Sequence, residues 1–180
     1  MCGIALAVTA CGSNTSTVAS QNESQVSDAP LEASTAKQPR AAEIKTCEDL
    51  SSGDIAAMGL DPATKKPADL EGQVKQFGCR WSGEHIIVDV LTTTATVAMY
   101  DSRTDLNIVG HPVVFGLPSI AFQVPNDPGA CFLLSDLEGR KGLMVLAGIK
   151  FEHEAAVGVD SCTLATRLME RAAPILLAPR

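Results

Sequence analysis

The chain has 180 residues, 46% of them hydrophobic but only 4% aromatic, and carries a formal net charge of −7. That is room for one domain with extensions, built on an aliphatic core. Its Lys and Arg residues are scattered, so it lacks the basic stripe that nucleic acid requires, and electrostatic attraction to an anionic membrane is disfavoured for the same reason.

Residues 1–11 resemble the end of a bacterial lipoprotein signal peptide. Val8, Thr9, Ala10 and Cys11 form a lipobox: a branched apolar residue, two small ones, and the thiol that receives diacylglycerol. The small residues give a signal peptidase access to an extended backbone. No Lys or Arg precedes Cys11, and a signal needs a charged leading region, so the true start is expected upstream of Met1. Cys11 is the expected lipidation site, placing the protein on the extracytoplasmic face of the cell membrane. Residues 12–45 are rich in Ser, Thr, Ala and Gln, with no aromatic residue. Such a segment buries too little apolar surface to offset its ordering entropy and is expected to be a disordered tether, with a coil reach on the order of 30 Å.

The expected folded domain spans residues 46–177. Ser51 is placed to cap a short helix, with Asp54 completing a capping box, Leu50 and Ile55 at the staple positions, and Gly59 at the C-terminal cap. A loop is expected over 61–76, marked by Pro62 and by Lys65, Lys66 and Pro67. Phe77–Ser82 then reads as a strand, Gly83 and Glu84 as a two-residue turn, and His85–Thr94 as a β-branched strand. Ile86, Val88 and Val90 share one face of it. Ile87, Asp89 and Leu91 share the other with His85, so that face is mixed and half covered.

Residues 95–106 fit either a strand continuation or a short helix. Asn107–Phe115, Ser119–Val124, Ala130–Leu134 and Gly142–Lys150 read as strands, and their short connections predict antiparallel neighbours. A final helix begins at Asp160 or Ser161, turns Leu164, Ala165, Leu168, Met169 and Ala172 inward, and is expected to stop at Pro174. The fold class is α+β: an antiparallel sheet of five to seven strands with a short N-terminal helix and a C-terminal helix packed on it.

Cys47, Cys79, Cys131 and Cys162 are widely spaced and offer no local zinc pair. In an exported domain they permit three pairings. Cys47–Cys79 and Cys131–Cys162 are favoured, since the first ties the N-terminal helix to the first strand and the second ties a central strand to the last helix.

Three pieces together resemble an actinomycete lipoprotein family catalogued as a domain of unknown function (number 3558). They are Cys47, Leu50 and Ser51 leading into Asp54–Leu60; Gly78, Cys79, Arg80 and Trp81 before a strand; and Gly110, His111 and Pro112, then Cys131, then Cys162, Thr163, Leu164 and Ala165. The resemblance spans residues 46–177. It implies a lipidated, disulfide-bonded envelope domain and supplies no catalytic residues.

The residues themselves offer no catalytic constellation either. His85, His111 and His153 are not spaced as a zinc pair, and Asp101, Asp105 and Asn107 do not follow the EF-hand pattern. No G-x-S-x-G is present to place a nucleophilic Ser. Trp81 beside Cys79 reads as packing against a bridge. The expectation is a non-catalytic module, monomeric and without cofactor, metal or nucleic acid. It would bind an envelope protein or cell-wall component through a sheet face or loop edge. The alternative is a carrier that holds a lipid or other hydrophobic ligand in an internal cavity, and a small hydrolase would need a pocket with convergent polar side chains.

Overall fold

The computed structural model describes residues 44–72, 74–137, 141–150 and 157–178. Cys11 and His153 lie outside them. In chain order the elements are α1 (Thr46–Asp49), α2 (Ser52–Ala57), β1 (Asp61–Pro67), β2 (Gln76–Ser82), β3 (Ile86–Thr93) and α3 (Val97–Asp101). Then come β4 (Asn107–Gly110), β5 (Val113–Val114), β6 (Leu117–Val124), β7 (Asp127–Leu137), β8 (Lys141–Ile149) and α4 (Ser161–Leu176). The strands form one antiparallel sheet in the order β1-β2-β3-β8-β7-β6-β4, with β5 paired to β6 beside that path.

The class is α+β as expected, but the sheet has eight strands because two segments behave differently. The expected loop over 61–76 contains β1. Its Pro62 and Pro67 are tolerated because β1 is an edge strand, where a missing N–H faces no neighbour, and Lys65 and Lys66 keep that edge polar. The expected strand over 107–115 is split into β4 and β5, and Pro112 lies in the break.

The two helix starts form as the side chains dictate. Ser51 accepts from the Asp54 backbone N–H while Asp54 accepts from that of Ser51, and Gly59 takes φ 79° just past α2. Asp160 caps α4 by accepting from the Cys162 and Thr163 N–H groups. α4 does not stop at Pro174 but continues to Leu176. Pro174 sits on the solvent side, while Leu176 and Leu177 are buried and hold the last turn against the core.

One sheet face carries Cys79, Trp81, Val88, Val90, Leu133 and Val145 into a core shared with α2 and with Ala165, Leu168, Met169 and Ala172 of α4. The disulfides Cys47–Cys79 and Cys131–Cys162, with Cα separations of 5.3 and 4.9 Å, both lie in this layer. They fasten α1 to β2 and β7 to α4. The opposite face holds a smaller cluster of Leu91, Ala95, Tyr100, Ile120, Phe122, Leu134 and Met144. α3 supplies its Tyr100, so residues 95–106 are covering helix and loop rather than extended strand.

Between β5 and β6 the chain turns through Phe115 at φ 51° and Gly116 at φ 75°. Positive φ at both central residues matches the type I′ hairpin, which favours Asn-Gly. A bulky side chain there costs roughly 1–2 kcal/mol.

Candidate functional site

The densest stretch of the sequence, Phe77–Ser82, splits between two environments because side chains alternate across a strand. Cys79 and Trp81 face the helices and are buried. Gly78 lies tight against β3: a Cβ there would sit 2.1 Å from the Val90 carbonyl oxygen. Arg80 turns to the other face and is half exposed, at 48% of its side chain.

On that face the antiparallel register builds one continuous row. Lys66 opposes Arg80, Arg80 opposes Asp89, and Asp89 opposes Leu146. Leu146 opposes Phe132, Phe132 opposes Phe122, and Phe122 opposes Ile108. The row therefore crosses from edge strand β1 to edge strand β4, cationic at one end and apolar at the other.

Its polar centre is a two-pronged contact. Arg80 Nε donates to Asp89 Oδ1 at 2.6 Å and Nη2 donates to Oδ2 at 2.7 Å. The Asp89 side chain is only 5% exposed, so the guanidinium stands in for its lost water. Hydrogen bonding to Asp89 is also the main cause of a raised Arg80 pKa, and burial partly opposes it. Lys66 is exposed and adds positive charge at the sheet edge.

At the apolar end Phe122 stacks on Phe132 at 5.1 Å and on Tyr100 at 4.6 Å. Burial raises the Tyr100 hydroxyl pKa, and Arg103 lies 5.6 Å over its ring. Leu146, Phe132 and Ile108 are half-buried. The adjacent row runs Ser82, Ile87, Gly148, Ala130. Small residues at three of its positions, Ser82, Gly148 and Ala130, leave that row with less side-chain bulk than Leu146 and Phe132 beside it.

The remaining candidates separate. His111 Nε2 lies 2.8 Å from Asp101, Asp105 pairs with Arg103, and Asn107 donates to Gln123 Oε1 at 3.2 Å. These partners are different, so the three oxygen-bearing residues do not converge. His85 Nε2 is 3.6 Å from Glu84. Among the described residues no group of three His, Cys, Asp or Glu is gathered as a metal centre. Ser119 and Ser135 hydroxyls meet at 2.7 Å in the buried layer, and Ser119 Oγ donates to the Leu117 carbonyl. Two surface clefts of about 330 and 340 Å³ open beside Cys47 and beside Asp160. Among the described residues no helix is long and apolar enough to cross a membrane.

Sequence reading placed Asp89 on a mixed strand face, but missed its union with Arg80 and the roles of Lys66, Leu146 and Phe132. The signal available was a lone acid in an apolar strand opposite a basic residue in the preceding one. In comparison with known proteins, a family model described as a protein of unknown function (DUF3558) matches residues 6–174. No curated protein and no solved structure matches the chain.

Proposed function

This chain belongs to the DUF3558 family, and we propose that it is an exported, lipid-anchored envelope protein acting as a non-catalytic binding module. The lipobox ending at Cys11 supports the anchor, and two disulfides suit an oxidising compartment. A diacylglyceryl group on Cys11 supplies two acyl chains, and stable anchoring generally needs two membrane signals. Ile44 and Lys45, at the end of the expected tether, belong to the fold instead, Ile44 in the core and Lys45 at the start of α1; the spacer before them would let the domain stand clear of the bilayer.

The observation that carries the binding reading is the row from Lys66 to Ile108 on the sheet face opposite α4. It combines half-buried apolar side chains with a guanidinium that is fixed in place and still reaches solvent. Rigid apolar area beside a pre-oriented polar group is what specific recognition uses, because little side-chain entropy is lost on binding. The partner is an envelope protein or cell-wall component.

Two measurements test the proposal separately. Cys11→Ser, made in a gene carrying the complete signal, should shift the protein from membrane to soluble fraction; unchanged fractionation removes the anchor. Leu146→Arg, placed in the middle of the open face, should abolish retention of the envelope component that the wild-type chain captures, with folding retained by circular dichroism. Equal capture by the variant would defeat the face as the binding site. A lipid extracted consistently from purified protein would replace the module reading with a carrier.

A further inference from the structure

We propose that the β5–β6 hairpin is a shallow bilayer-inserting tip that presents Phe115 and Val113 to the lipid interface. Phe115 holds φ 51°, a region that bulky residues rarely adopt, yet the residue is 54% exposed. Packing inside the domain therefore does not repay the strained backbone, and strain kept at an exposed position points to use outside the fold. Val113, next but one, is 73% exposed.

The same hairpin is firmly seated. Val114 and Leu117 oppose each other across it and are buried in the core beneath α4. The inward pair fixes the outward pair, so the tip projects without loosening the sheet.

Three features select lipid over other occupants. Residues 112–126 contain no charged side chain, in a chain of formal net charge −7. Attraction to a charged surface is thus unavailable, and apolar insertion remains. A convex tip has no concavity for a small ligand. Two projecting side chains also fall far short of the roughly 800 Å² per partner of a standard protein interface, whereas a bilayer takes up single side chains. The inference rests on the envelope-anchored reading for its setting. There the anchor holds the tip at high effective concentration near the membrane, where weak insertion suffices.

The test uses the full chain as Cys11→Ser, so that no acyl chain contributes, with vesicles of uncharged phosphatidylcholine. Trp81 is 1% exposed, so a second tryptophan from Phe115→Trp reports separately on the tip. Its emission should move to the blue on adding vesicles, be quenched by brominated lipid, and be insensitive to salt. Phe115→Asn should lower vesicle partitioning by about tenfold, since roughly half a Phe side chain loses its burial. The same variant should raise Tm by roughly 2–4 °C, because Asn tolerates positive φ. An unshifted emission, or unchanged partitioning of Phe115→Asn, overturns the proposal. So does a lowered Tm, which would make Phe115 a packing residue. A blue shift with an envelope protein fraction but not with vesicles overturns it in favour of a protein pocket. None of these outcomes depends on lipidation of Cys11, which the fractionation experiment decides alone.

Discussion

Replacing Arg80 with Met keeps most of the aliphatic stem and deletes the guanidinium that donates at 2.6 and 2.7 Å to Asp89. The carboxylate left behind is 5% exposed, so water cannot take over both contacts. Removing one partner of a fully buried pair costs about 3–5 kcal/mol. Arg80 is itself 48% exposed, and solvent screening reduces the figure, so about 2–4 kcal/mol is expected. That is a large part of a typical stability of roughly 5–15 kcal/mol. The companion change restores most of it. With Asp89→Leu added, the stranded charge is gone and the row reads Met, Leu, Leu, Phe, for which a return to within about 1 kcal/mol of wild type follows. Urea titrations of wild type, both single variants and the double variant at constant m-value give the coupling directly. An Arg80→Met cost below about 0.5 kcal/mol, or two changes that add as independent losses, would show that the guanidinium does not hold the Asp89 carboxylate. The double variant also separates binding from stability, because it folds while lacking the polar centre of the open face.

Three further outcomes are expected. Cys131→Ala with Cys162→Ala opens a bridge of sequence separation 31 and should lower stability by about 3.5–4 kcal/mol on the chain-entropy estimate; denaturant midpoints check this, and non-reducing peptide maps should link Cys47 to Cys79 and Cys131 to Cys162. Gly78→Ala should destabilise by more than about 3 kcal/mol, because its Cβ would meet the Val90 oxygen at 2.1 Å and Leu91 Cα at 2.9 Å; near-normal unfolding would refute that close approach. Asp160→Ala removes the α4 cap and should cost about 1 kcal/mol at neutral pH. Hydrogen bonds from Thr163 hold the Asp160 carboxyl below its ordinary pKa, so its contribution is present above about pH 4 and fades as acid protonates the folded form. The gap between variant and wild type should therefore narrow in acid, and a gap that widens contradicts the sign.

Local signals were legible where their chemistry is local. The Ser51 and Asp54 capping box, Gly59, and the Asp160 start of α4 each need only a few neighbouring residues, and each forms. The punctuation read from proline was less faithful. Pro62 and Pro67 suggested loop, yet an edge strand needs hydrogen bonds on one side only, so β1 forms. Pro174 suggested a stop, yet burial of Leu176 and Leu177 carries α4 past it. In each case tertiary position, which the sequence does not display, decided whether the missing N–H mattered.

The open face shows the same limit in sharper form. A two-residue turn at Gly83 and Glu84 would set Arg80 opposite Ile87, with every side chain still on its correct face. The turn instead closes with the Gly83 N–H donating to the Ile86 carbonyl at 2.9 Å, and the register moves so that Arg80 meets Asp89. A shift of two residues leaves the hydrophobic pattern unchanged, so patterning alone cannot choose between the two registers. Charge can. A turn at Gly83 and Glu84 would leave Asp89 in the sheet without its cation, and burying an unpaired carboxylate is far more costly than moving the two-residue turn on by one residue, to Glu84 and His85. Asp89 thus acts as a register pin for the β2–β3 hairpin. Because β3 pairs with β8 and β8 with β7, the alignment it sets determines which apolar residues stand beside Arg80 on the open face. Changing that pair should therefore perturb recognition along the row as well as at its polar centre.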